Sequence, residues 1–372
     1  MYISTLIFYT TFIFICTIAI GWSKWHNTKI GIYWAYAALA LLSILRYDIG
    51  NDYDSYVSGI NYLSRFTSIN WPLFVTLRVE PFFLLLVHLF KNFAFSYLWI
   101  YGIYSILEVF ILYKIFSFYN IHNYAFLIIF INGLLFFCWD GLRQGLAFVI
   151  FLYAIRYIKE HNFKKYLILI FLAATTHFSA LILIPFYYFS QITPKRLVYI
   201  IVILGLAFFA SGSLFQKIFN SILEYAPAWY ATNAYSHAYV QITSEMYRLR
   251  IIFYSLFWCS IIYYLPDTEK IFINFIFFGA VIFIIASGAL NLMRISYYFI
   301  FTTTISLPLV LKYLNINVSD LKSKIRQVVI KVVLVGVILF FIHDVITDSG
   351  TRGCVPYKSI FSIDFQMQKF DR

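Results

Sequence analysis

Residues 123–158 read NYAFLIIFINGLLFFCWDGLRQGLAFVIFLYAIRYI. Two apolar runs, 123–139 and 142–158, meet at a connection that is little more than Asp140 and Gly141. Each run is long enough to cross a bilayer as a helix. Backbone groups in hydrocarbon must bond within their own segment, so the pair predicts a tight helical hairpin in lipid. Further runs of similar character lie at 2–22, 30–45, 94–113, 165–190, 197–214, 249–265, 270–290, 295–313 and 328–346. Residues 81–90 are apolar but too short to cross. The expected fold is all-α: a polytopic integral membrane protein of about 10–12 transmembrane helices, with extracytoplasmic loops and re-entrant segments.

Composition agrees. The chain is 62% hydrophobic, 22% aromatic and 12% charged over 372 residues, too little polar surface to solvate a globule of that size. Its net charge of +12 sits mainly in short loops, where orientation and anionic headgroups account for it, and no nucleic-acid partner is expected. Cys16, Cys138, Cys259 and Cys354 form no CxxC pair, so neither a disulfide framework nor a zinc site is expected. The first run lacks a basic leader and a small-residue cleavage site and reads as a retained helix. With no repeat and no low-complexity linker, residues 1–372 read as one membrane domain.

Lys and Arg cluster at 24–29, 156–165, 195–196 and 312–331, which the positive-inside tendency places in the cytoplasm. That arrangement requires 165–190 to turn back on itself and 81–90 to be re-entrant or to lie flat. Pro185 and the polar step Thr175-Thr176-His177 supply a place to break. Loop 46–93, residues 140–143, loop 215–248, residues 291–294 and the tail 347–372 then share the extracytoplasmic side. Arg46, Arg143 and Arg294 defy the positive-inside tendency there, unless they are helix-end arginines reaching for the interface.

Four stretches carry chemistry. Arg46 to Tyr56 holds three carboxylates, an arginine and three tyrosines. Asp48 and Asp52 would share a face on a helix, whereas Gly50-Asn51 argues for a turn. Their carboxylates can accept a sugar hydroxyl's proton, hydrogen-bond a sugar or pair with Arg46. Tyr53 and Tyr56 are sugar platforms or interfacial belt residues. In Trp139-Asp140-Gly141-Leu142-Arg143-Gln144-Gly145, Arg143 and Gln144 open a helix, a ready site for an anion such as phosphate, with an Asp140–Arg143 tie as the structural alternative. His177 is a base, a phosphate ligand or a packing residue. Arg294 and Tyr297 repeat the pattern of an arginine opening a span. Glu108, His88 and Asn274 read as buried interhelical partners. Loop 215–248, with Glu224, His237 and Glu245, specifies no reaction. There is no Walker loop, dinucleotide fingerprint or metal-ligand set, although Asp48, Asp52 and Asp54 leave a diffuse carboxylate site open.

Taken in order, Arg46…Gly50-Asn51-Asp52-Tyr53…Tyr56, Glu80-Pro81, Arg143-Gln144-Gly145-Leu146-Ala147, His177-Phe178-Ser179-Ala180-Leu181, Arg294…Tyr297-Tyr298…Pro308 and Pro356-Tyr357 resemble the EpsG-like polysaccharide polymerases, grouped with Wzy-type O-antigen polymerases. Asn51 departs from the threonine expected in the Gly-Thr-Asp-Tyr step. The resemblance implies transfer of a growing glycan from undecaprenyl diphosphate onto a lipid-linked repeat unit, at the outer face of the bacterial cytoplasmic membrane. It implies an undecaprenyl-diphosphate-linked oligosaccharide as substrate, the lipid bilayer as surroundings, a chain-length regulator (co-polymerase) as partner, and no cofactor or metal. Asp52 and His177 are then the candidate bases. Arg46, Asp48, Tyr53, Tyr56, Arg143, Gln144, Arg294 and Tyr297 would bind substrate, with Arg143 and Arg294 on the diphosphate. A flippase of the same lipid, a ligase and a sugar acyltransferase are the competing classes. Charges along a central pathway and internal repeats would mark the flippase; cytoplasmic access to the catalytic residues would mark the acyltransferase.

Overall fold

A computed structural model describes residues 2–66, 79–210, 245–286, 290–316, 321–347 and 353–361. Of the expected loops, 67–78 and 215–244, with Glu224 and His237, lie outside the described residues, as do 348–352 and the tail from 362. The structure is 81% helical, and among the described residues the only β pairing is an isolated bridge between Arg46 and Ser359. The chain is an all-α polytopic membrane protein. Among the described residues, four helical stretches are long and apolar enough to cross a membrane: Ile3–Trp25, Ser96–Tyr119, Asp267–Ile285 and Met293–Leu314, the last interrupted at Phe301-Thr302. His122–Ile131 and Leu134–Asp140, bent by 55° from one another, pass the same test taken together, as a broken span or a re-entrant loop. Most of the other apolar runs form shorter helices, such as Ile30–Ile44 and Arg196–Ala210, and fall below that length.

Contacts divide the chain into two compact units, residues 1–184 with 335–372, and residues 185–334. The first unit contains α1 (Tyr2–Trp25), α2 (Ile30–Ile44), α3 (Tyr53–Leu63), α4 (Pro81–Phe90), α5 (Ser96–Tyr119), α6 (His122–Ile131), α7 (Leu134–Asp140), α8 (Leu142–Lys159) and α9 (Phe163–Thr176). α8 packs between α5 and α9; α2 lies against α1 and α5, and α3 and α4 pack on each other and on α5. The run 123–139 breaks at Gly133, whose φ of +75° suits a residue without a β-carbon. α7 and α8 then approach so closely that a Cβ on Gly145 would stand 2.6 Å from the Cα of Cys138. The run 165–190 breaks as its polar step predicts. α9 ends at Thr176, His177 is extended (φ −158°, ψ 119°), and a 3-10 turn covers Phe178–Leu183.

The second unit holds α10 (Phe186–Phe189), α11 (Arg196–Ala210), α12 (Glu245–Tyr264), α13 (Lys270–Ile285), α14 (Leu290–Ile300) and α15 (Thr303–Ile316). α13 packs on α11, α12, α14 and α15. Asn274 on α13 is wholly buried, and it bears out its reading as an interhelical partner. Its Nδ2 donates to the carbonyls of Ser190 (2.8 Å) and Ile192 (2.7 Å), and its Oδ1 accepts from the Tyr199 hydroxyl at 3.0 Å. The boundary between units falls within α16 (Leu321–Thr347).

Candidate functional site

Three helix ends converge in the first unit, and each brings one ionisable side chain. Pro81 starts α4, where its missing N–H costs nothing. The residue before a proline is driven to extended backbone, and Glu80 adopts it (φ −68°, ψ 145°), standing at the mouth of the helix. Arg143 is the second residue of α8, and His177 caps α9. The Glu80 side chain is 4% exposed, while those of Arg143 and His177 are 28% and 29% exposed. One carboxylate oxygen, Oε2, accepts from Nη1 of Arg143, and the other, Oε1, lies 2.6 Å from Nδ1 of His177.

This geometry keeps Glu80 ionised and sets which histidine nitrogen faces it. Burial raises the Glu80 carboxyl, but the His177 hydrogen bond and the Arg143 and His177 charges outweigh it and hold Glu80 below the usual glutamate value. An ionised carboxylate only accepts, so Nδ1 of His177 carries the hydrogen of this pair, and in the neutral imidazole that tautomer keeps the lone pair on Nε2. The Arg143 guanidinium lies over the rings of Tyr56 (5.5 Å) and Phe83 (5.3 Å). Its Nε is buried without a hydrogen-bond partner. Burial pushes the Tyr56 hydroxyl above the ordinary tyrosine value; Arg143 pulls against this, and the Asp52 charge adds to it.

The Arg46–Tyr56 stretch reaches the same region from the other side. It forms a turn, as Gly50-Asn51 predicts, with Gly50 at φ +102° and so close to the hairpin that an added Cβ would lie 2.9 Å from the Cα of Asp140. The Asp52 amide donates to Oδ1 of Asp140 at 3.1 Å. Asp52 thereby sits one helical turn before Tyr56, at the start of α3. Asp140 is buried, and so is Gln144 on the first turn of α8.

Three of the expected binding residues are buried: Arg46, Tyr53 and Gln144. Arg46 is 1% exposed: its Nη1 donates to the Ser43 carbonyl (2.5 Å) and Ser105 Oγ (2.6 Å), and its guanidinium faces Tyr101 and Trp139. Tyr53 is buried, stacked on Tyr101 at 5.2 Å and edge-on to Tyr47 at 5.9 Å. Arg46, just past the end of α2, and Tyr53, the first residue of α3, both enter the bundle and brace the loop between them. Asp48 pairs with Lys358 at 2.5 Å, not with Arg46. Arg294 and Tyr297 belong to α14 of the second unit; Arg294 is half-buried and Tyr297 stacks on Phe301 at 5.6 Å.

Sequence reasoning passed over Glu80 as a site residue, although it stands in a Glu-Pro step. An acidic residue directly before a helix-starting proline is a usable signal, because such a side chain is presented at a helix mouth. Among the described residues, no group of three or more His, Cys, Asp or Glu side chains is arranged to hold a metal ion.

The family model that matches the sequence is that of the EpsG family, over residues 29–359. The chain belongs to the EpsG family. That family comprises membrane polysaccharide polymerase-like proteins, so the convergence of Glu80, Arg143 and His177 lies in a protein of that role. No curated protein and no solved structure matches the chain.

Proposed function

We propose that this EpsG-family protein is a glycan polymerase of the bacterial cytoplasmic membrane. It transfers a growing glycan from undecaprenyl diphosphate to a hydroxyl of the next lipid-linked repeat unit, at the outer face. The observation that carries the reading is Glu80 holding a part-exposed arginine and a part-exposed histidine at one place. Arginine binds phosphate through paired N–H donors, and Arg143 commits one side of its guanidinium to Glu80 while remaining open to solvent. Diphosphate leaves readily once its charge is met, so the chemistry needs one base for the acceptor hydroxyl. His177, with Nδ1 tied to Glu80 and Nε2 unbonded among the described residues, fits that base better than Asp52. Asp52 and Tyr56 are assigned to the acceptor sugar, with Arg46, Asp48, Tyr53 and the buried Gln144 supporting that region. Arg294 and Tyr297 are assigned to the lipid-diphosphate donor on their residue types, and a chain-length regulator is the expected partner.

In the reaction, the acceptor O–H gives its proton to Nε2 of His177 and its oxygen bonds to the anomeric carbon. The bond from that carbon to the diphosphate oxygen breaks, and the electron pair leaves with the diphosphate, whose charge Arg143 meets. The test uses purified protein with lipid-diphosphate-linked repeat units. His177→Ala and Arg143→Ala are each expected to cut chain extension about 10²-fold or more at an unchanged amount of folded protein. Long-chain product at the wild-type rate from either variant removes that residue from the mechanism.

A further inference from the structure

Glu80 stands outside the reading just given except as a counter-ion, yet its geometry asks more of it. It is the most buried member of the cluster, and both its oxygens are committed. A structural ion pair needs one partner. Here a single carboxylate fixes two side chains from two different helices, and each keeps more than a quarter of its surface accessible. Pro81 allows Glu80 no helical alternative, since the residue before proline is held extended. The backbone therefore delivers the carboxylate to one spot.

We propose that Glu80 is the positioning residue of the transfer reaction, orienting the base and the diphosphate grip together. Through Oε1 it holds the His177 ring in the tautomer that leaves Nε2 open. When the acceptor hydroxyl gives up its proton to Nε2, the imidazolium that forms is met by the carboxylate already in contact with Nδ1. Through Oε2 it sets the plane of the Arg143 guanidinium, so that the terminal N–H groups not used by Glu80 are turned to the leaving diphosphate. The distance between base and anion grip is then set by the width of one carboxylate. A donor and an acceptor that do not fit that spacing cannot be engaged at once. This rests on the polymerase reading above, in which Glu80 touches neither substrate.

The experiment measures kcat and KM for extension of lipid-diphosphate-linked repeat units by Glu80→Gln, Glu80→Asp and His177→Ala, each normalised to folded protein by gel filtration in detergent. Glutamine keeps the size and one acceptor but has no charge and no second acceptor. Glu80→Gln is expected to lower kcat about 10²-fold with KM rising far less, by analogy with other carboxylate–histidine pairs. Glu80→Asp, which keeps the charge on a shorter stem, should recover part of kcat. A purely structural role would reduce only the folded fraction. Wild-type kcat in folded Glu80→Gln, or a rise in KM alone, overturns the positioning role even where His177→Ala is inactive. Wild-type extension by His177→Ala instead overturns the base itself, so the two failures are distinguishable.

Discussion

Asn274 in the second unit and Glu80 in the first are both polar side chains sealed among apolar helices, yet they are satisfied in opposite ways. Asn274 is neutral; its amide is matched by two carbonyls and one hydroxyl, and it ties α13 to α11 and to the segment before it. Glu80 is charged, and its partners are themselves charged or chargeable side chains that reach the surface. A neutral node with fixed, buried partners stabilises and does nothing else. A charged node with accessible partners leaves capacity for a third molecule. Polarity within apolar helices is thus not by itself the sign of a site; exposed partners are.

The sharpest way to break the comparison is to empty each node. Glu80→Ala should cost about 3 kcal/mol of stability in detergent unfolding, because it leaves Arg143 and His177 facing one another without their counter-ion, and should abolish extension. Asn274→Leu should cost about 2 kcal/mol by stranding the Tyr199 hydroxyl and two carbonyls, while specific activity of the folded fraction stays at the wild-type level. Activity lost with Asn274 at full folding would erase the distinction drawn here. Acid should act on one node alone. Glu80 is held below the ordinary glutamate value, so its contribution is present above that value, near pH 4–5, and disappears as pH falls through its lowered one. Melting curves should show wild type losing this increment on acidification, whereas Glu80→Gln lacks it throughout. Gly145→Ala should cost about 1–3 kcal/mol, since the new methyl meets the backbone of α7. Lys358→Met should be mildest, under about 1 kcal/mol, because both it and Asp48 are substantially exposed.

Much of the helical plan was legible in residue order. The runs at 2–22, 30–45, 142–158 and 249–265, and the described part of 197–214, each correspond to one helix, and the polar step before His177 marks a true break. Less legible were breaks inside apolar runs. Asn132-Gly133 interrupts 123–139, with Asn132 Oδ1 accepting from the Leu134 amide, and Phe301-Thr302 interrupts 295–313. Asn-Gly is a turn step and Thr302-Thr303-Thr304 a polar one, but each is too short to end an apolar run of membrane length, which averages over it. Arg143, His177 and Asp52 drew notice because charge in apolar surroundings is costly. Arg46 drew notice on the same ground, but its burial depends on which side of α2 faces Ser105 and Trp139, which span hydropathy does not encode. Glu80 was quoted only within a resemblance, since nothing in the order of residues brings 80, 143 and 177 together.

The tail segment 353–361 lies along the Arg46–Asp52 turn. Gly50 donates to the Gly353 carbonyl at 3.1 Å, Tyr47 to that of Lys358 at 3.1 Å, and Ile360 to that of Leu45 at 3.0 Å. The Lys358–Asp48 pair joins residues 310 positions apart. At ribosomal speeds of about 5–20 residues per second, the turn waits roughly 15–60 s for the segment that straps it. During that interval most of the helices of the first unit have been made, but not the segment that covers the Arg46–Asp52 turn. Completion of that loop is therefore a late event in biogenesis, and a chain stalled before Gly353 carries the charged cluster without the segment that fastens the loop beside it.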